Sequence, residues 1–130
     1  MILFLDPDPK RAVLAFQRMT PEDRENTIWA KSFLEAQTTI FNYRDVLTRV
    51  HLEHDLGEHP YQNTASEESG MEIVRYLERL EKHAYPEFAP LKDVKWIIHS
   101  YNEHAAPIMV ERMTEIGLNV EWVPFGTEKK

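Results

Sequence analysis

The sequence predicts an α/β fold, a three-layer sandwich around a five-stranded parallel sheet of strand order 2-1-3-4-5. Three observations carry this. Short aliphatic runs alternate, along the whole chain, with stretches whose apolar residues recur at helical spacing. Capping residues and prolines or glycines punctuate the boundaries between them. The length, 130 residues, suits one domain with its own core.

The elements follow in order. Ile2-Leu-Phe-Leu5 is a continuous apolar run bounded by Asp6-Pro7-Asp8-Pro9, as expected of a strand buried on both faces and then a turn. Asp8 suits an N-cap and Pro9 the first helical position. Val13, Phe16 and Met19 then mark the apolar stripe of a helix over residues 9–19. Thr20 to Asn26 reads as a polar loop, and Thr27 to Lys31, with Ile28 and Trp29, as a second, weaker strand. Ser32 and Glu35 have capping-box spacing and open a helix to about Arg44, with Phe33, Leu34, Ile40 and Phe41 as its stripe. Leu47 to Glu53 is the third strand, and Glu58 to Glu68 a polar loop. Ser69 and Glu72 repeat the capping-box spacing before a helix over residues 70–82, with Ile73, Val74, Leu77 and Leu80 at helical spacing. His83 to Asp93, with Pro86 and Pro90, is a connection. Val94 to His99 is the fourth strand; Asn102 caps a helix whose core stripe is Met109, Met113 and Ile116, and Gly117 stops it. Val120 to Val123 is the fifth strand, with Pro124 ending it and a tail after Gly126.

Composition bounds the function. The formal charge of −7 excludes a dense basic surface, and with it binding to long duplex nucleic acid, while leaving a small nucleotide possible if a divalent cation offsets the phosphate. There is no cysteine, so disulfides and thiolate metal sites are excluded. No apolar run is long enough to span a membrane and the N-terminus does not read as a secretory signal, so a cytoplasmic protein is expected.

In a flavodoxin-like sheet of this order, strands one, three and four are adjacent, and ligands bind at the carboxyl edge. The groups delivered there are Asp6 and Asp8, then Glu53, His54 and Asp55, then His99, Ser100 and Asn102. Three stretches distant in sequence thus converge on one crevice. Each has a plainer reading: Asp8 and Asn102 also suit helix caps, and the acidic exit of strand three also suits a solvated turn. His51 is expected to pack within the third strand, His59 and His104 to belong to a loop and a helix start, and Trp96 and Trp122 to be core or interface.

The chain also resembles receiver domains, the phosphoacceptor modules of response regulators, over about residues 1–126. The resemblance lies in the opening Ile2-Leu-Phe-Leu-Asp-Pro-Asp-Pro9, in Ser69-Gly70-Met71-Glu72 before Ile73-Val74, in Ser100 after strand four and in Val123-Pro124-Phe125. It departs from them at Pro7 in the acidic pair, at Glu53 in the phosphoacceptor position and at Val123 in place of a lysine, and nothing reads as a last helix. Glu53-His54-Asp55-Leu56-Gly57 and His99-Ser100-Tyr101-Asn102 resemble a divergent branch, the cyclic-phosphate-processing receiver domains of bacteria and phages.

That resemblance implies a receiver-like domain over residues 1–126 with a tail at 127–130. It also implies a metal-dependent phosphoesterase acting on an RNA 2′,3′-cyclic phosphate end or a small cyclic nucleotide, in nucleic-acid repair or conflict. The side chains suit that chemistry. Asp6, Asp8 and Glu53 are oxygen ligands for Mg²⁺ or Mn²⁺. His54 and His99 are the general base and acid, with Asp55 orienting one of them. Ser100 and Asn102 would donate to phosphate oxygens beside a helix N-terminus. The alternative is a non-catalytic receiver-like protein that sequesters a cyclic nucleotide or binds a protein partner. Without the last helix, apolar surface near strands four and five is expected to lie open and to support a homodimer.

Overall fold

The computed structural model of the protein describes residues 1–56 and 69–126. The expected polar loop, with Gly57 and His59, and the tail lie outside them. The chain runs β1 (Ile2–Leu5), α1 (Pro9–Arg18), α2 (Pro21–Glu25), β2 (Thr27–Ala30), α3 (Phe33–Tyr43), β3 (Arg49–Leu52), α4 (Met71–Lys82), a 3₁₀ helix (Pro86–Asp93), β4 (Lys95–Ile98), α5 (Ala105–Glu115) and β5 (Asn119–Trp122). The five strands pair in parallel in the order β2-β1-β3-β4-β5. This is the flavodoxin-like, receiver-like sheet that the alternation of elements predicts.

Strand alternation divides the core in two. Leu3, Leu5, Val50, Leu52, Trp96 and Ile98 face the large cluster formed with α3, α4 and α5. Phe4 faces a small second cluster with Ala12 and Ala15 of α1 and with Phe125 beyond β5. The expected stripe of α1 shifts by one residue: Val13 is 55% exposed, whereas Ala12 and Ala15 are buried. Alanines carry no long side chain, so α1 can lie close against Phe4. In α3 the buried residues are Ala36, Thr39 and Ile40, and Leu34 and Phe41 are exposed. Phe16, Phe33 and Ile40 of the expected stripes do pack inward, but alanines share the inward face of both helices. The expected loop at 20–26 holds α2, capped by Thr20 with Pro21 in its first turn. The expected connection at 83–93 contains the 3₁₀ helix.

The capping boxes behave differently from one another. Ser32 Oγ accepts the Glu35 amide at 3.2 Å, and Glu35 reaches back to the Lys31 amide at 2.8 Å. Ser69 makes no such side-chain cap on α4, and the Glu72 carboxylate pairs instead with Arg75 at 2.7 Å.

Among the described residues no helix follows β5, but the surface this leaves is not apolar. Arg49 and His51 of β3, Lys95 and the buried Ile97 of β4, and Asn119 and Glu121 of β5 alternate onto that face. Lys95 pairs with Glu121 at 3.2 Å, and Arg49 donates to His51 Nε2 at 2.9 Å. The open apolar surface from which a homodimer was expected is therefore replaced by a polar one. No helix of the described residues is long and apolar enough to cross a membrane.

Candidate metal and acid–base site

The site lies at the carboxyl ends of β1, β3 and β4. Asp6 follows β1 directly and its side chain is fully buried. Its backbone is fixed on both sides, the amide donating to Ala30 O at 3.0 Å and the carbonyl accepting from Trp29 Nε1 at 2.8 Å. One carboxylate gathers four donors. Oδ1 accepts from the Asp8 amide at 2.8 Å and Arg11 Nη2 at 3.0 Å; Oδ2 lies 2.7 Å from Arg11 Nε and 2.9 Å from His99 Nε2. Burial alone would raise the Asp6 pKa, but the hydrogen bonds from His99 and Arg11 outweigh it and hold the carboxyl below its ordinary value.

Glu53 stands just past β3, its amide bonded to Leu5 O at 3.0 Å. The extra methylene, compared with aspartate, lets the side chain fold back. Oε1 accepts the amides of His54 and Asp55 at 2.9 and 3.2 Å. Oε2 is left facing His99 Nε2 at 3.7 Å and Arg11 Nη2 at 3.8 Å. His99 is held by its backbone between β3 and the Phe125 segment, its amide donating to Leu52 O at 3.0 Å and its carbonyl accepting from Phe125 N at 2.9 Å. Its ring stacks on Phe4 at 4.8 Å between centroids and meets the edge of Phe125.

Ligand atoms of Asp6, Glu53 and His99 all lie within 4.8 Å of one another. This buried Asp–Glu–His group could hold a metal ion. Asp8, expected as a ligand, is outside this group. Its Oδ1 caps α1 through the Lys10 amide at 2.9 Å. His99, expected as an acid–base group, is inside it.

His54 and Asp55 form a second set. His54 is fully buried, and its Nδ1 lies 2.9 Å from Asp55 Oδ1. A carboxylate only accepts hydrogen bonds, so this contact places the proton on Nδ1 and a lone pair on Nε2. Asn102 Nδ2 lies 3.3 Å from both Asp55 Oδ1 and His54 Nδ1. Asn102 Oδ1 meanwhile accepts the amides of His104 and Ala105, at 3.2 and 2.9 Å, ahead of α5. Ser100 Oγ accepts the Asn102 amide at 3.1 Å. Both residues expected to bind substrate thus act in shaping the turn that steadies His54. Among the described residues, His54 Nε2 and His99 Nδ1 are buried without a hydrogen-bond partner.

Sequence reasoning missed Arg11 at this site. It sits in the first turn of α1, three residues beyond Asp8, and a cation so close to an acidic turn was the available signal. It also missed the need for Gly70. A Cβ there would lie 2.3 Å from Glu53 O, so only glycine lets the start of α4 pass the end of β3. The Gly70 amide donates to His54 O at 2.7 Å across this close approach.

A model of the family described as the cyclic-phosphate processing receiver domain matches residues 1–115. The chain belongs to that family. No curated protein and no solved structure gives a match. The match spans β1 to α5 and so includes every residue of both polar sets. In this member of the cyclic-phosphate-processing receivers, the receiver edge carries a buried Asp–Glu–His group beside a His–Asp–Asn group.

Proposed function

We propose that this receiver domain opens a cyclic phosphate, at an RNA 2′,3′-cyclic end or in a small cyclic nucleotide, with the help of Mg²⁺ or Mn²⁺. The observation that carries the reading is the convergence of Asp6, Glu53 and His99 at the sheet edge of a chain from this family. These three residues would hold the cation, which when bound offsets the charge of the phosphodiester. His54 is the base. Asp55 holds the Nδ1 proton, so Nε2 is free to take a proton from the attacking water. As the new P–O bond forms and the ring P–O bond breaks, His54 returns that proton to the leaving oxygen. The product is a phosphomonoester at the reacting phosphorus in every case: at the RNA end, in an opened mononucleotide, or at one end of a linearised cyclic oligonucleotide.

The complete burial of His54 favours one second reading, capture of a cyclic nucleotide without turnover. Phosphorus NMR separates the two. The protein is incubated at stoichiometric concentration with 2′,3′-cyclic nucleotides, 3′,5′-cyclic nucleotides and cyclic oligonucleotides, with diamagnetic Mg²⁺ and then with EDTA. A product signal that needs the metal, and that His54→Ala abolishes, supports the esterase. Substrate signals that broaden without product support capture, and unchanged spectra throughout contradict both.

A further inference from the structure

Arg11 makes contacts with all three carboxylates at the mouth of the site. Its guanidinium forks onto Asp6, through Nε at 2.7 Å and Nη2 at 3.0 Å, and lies 3.5 Å from Asp8 and 3.8 Å from Glu53. Asp6 and Glu53 are buried, whereas the Arg11 side chain is 29% exposed. The arginine is therefore the outermost member of the cluster, and it hangs from the first turn of a helix by a long flexible stem. Its fork takes up both oxygens of Asp6, one of them the oxygen 2.9 Å from His99 Nε2. A divalent ion held by Asp6, Glu53 and His99 and a guanidinium forked onto Asp6 need the same lone pairs. The unpartnered Nδ1 of His99 shows a ring not yet committed at its second nitrogen, and so able to move its proton there if Nε2 becomes a ligand.

We propose that Arg11 is a tethered counter-cation that a divalent ion displaces, and that the released guanidinium then clamps the substrate's phosphate. The inference rests on the cation site of the proposed function but not on turnover. Binding becomes ordered by charge. While the site holds no ion, Arg11 neutralises the buried acids and is not free for an anion. Once an ion enters, the acids no longer need Arg11. Guanidinium can then fork onto two oxygens of a phosphate as it had onto the two of Asp6.

The test is Mn²⁺ titration followed by electron paramagnetic resonance, on the wild type, Arg11→Gln and Arg11→Lys. Binding of inorganic phosphate to each Mn²⁺-loaded protein is then measured by calorimetry. Removal of a charge-assisted fork is expected to tighten Mn²⁺ binding about tenfold in Arg11→Gln and to weaken phosphate binding by about the same factor. Arg11→Lys keeps the charge without the fork, so it is expected to fall between the two and guards against a fold defect in the glutamine variant. Unchanged Mn²⁺ affinity in both variants, or no Mn²⁺ binding by any of the three proteins, overturns the displacement. Phosphate binding indifferent to Arg11 overturns the clamp. A protein that shows both effects but no turnover of any cyclic phosphate would sustain this inference and sink the esterase.

Discussion

Asp6 shows how a fully buried carboxylate can stay charged. Its four donors outweigh the desolvation that would otherwise neutralise it, so its pKa lies below the unfolded value. A depressed acid stabilises the fold above its unfolded pKa, and that stability is lost as pH falls through the folded one. Asp6→Asn should therefore flatten the acid limb of the stability–pH curve below about pH 4, and cost about 1–3 kcal/mol near neutrality, as read by urea unfolding. His51 makes a parallel case on the polar face. Burial, with His99, Arg49 and Lys95 nearby, pushes its imidazole down to about 3, and Nε2 is already accepting from Arg49. The unfolded chain binds this proton more readily, so stability should fall as pH drops from about 6.5 toward 3. Thermal melts of His51→Phe should show a weaker pH dependence across that window than the wild type. At this scale residue types were legible but their partners were not. Asp6, Glu53 and His99 were legible as candidates because each ends a strand. Asp8 was legible both as a ligand and as the cap of α1, and its Oδ1 takes the cap. Arg11 carried no pattern of its own.

At the scale of elements, the site depends on how closely α4 approaches β3. Gly70→Ala sets a methyl group against Glu53 O and His54 Cα, both backbone atoms that cannot swing aside. Denaturant unfolding should show a loss of about 1–3 kcal/mol, with Glu53 and His54 displaced as well. The segment after β5 is the second support. Phe125 packs on Phe4, Ala12 and Ala15, meets His99, lies under Arg18, and its carbonyl accepts from Tyr101 Oη. Phe125→Ala should cost about 3 kcal/mol or more in chemical unfolding and free the His99 ring from one side. The elements were more legible than their faces. Alternating period and caps located every strand and the long helices. The inward faces of α1 and α3 were legible in part, through Phe16, Phe33 and Ile40, but alanines also line them, and an alanine adds little to an apolar pattern. The 3₁₀ helix Pro86–Asp93 hid behind its two prolines, which read as a break.

For the molecule as a whole, topology accounts for the site. Order β2-β1-β3-β4-β5 makes β1, β3 and β4 neighbours, and so brings together residues as far apart in sequence as Asp6 and His99. That much followed from the sequence, because alternation of strand and helix leaves few sheet orders. What it did not disclose was the partition at the edge. Asp6, Glu53 and His99 gather with Arg11, while His54 and Asn102 both donate to Asp55, with Glu53 joining the sets through the His54 amide. The polar face opposite α3, α4 and α5 was also unforeseen, because the missing last helix was expected to leave apolar surface near β4 and β5. We propose that Asp6, Glu53 and His99 form one divalent-cation site. Anomalous diffraction from a crystal grown with Mn²⁺ is the decisive test. A single strong peak bonded to both carboxylates and to His99 Nε2 is expected, with Arg11 turned away from Asp6. A peak elsewhere, or none with Arg11 still forked onto Asp6 at saturating Mn²⁺, would contradict it.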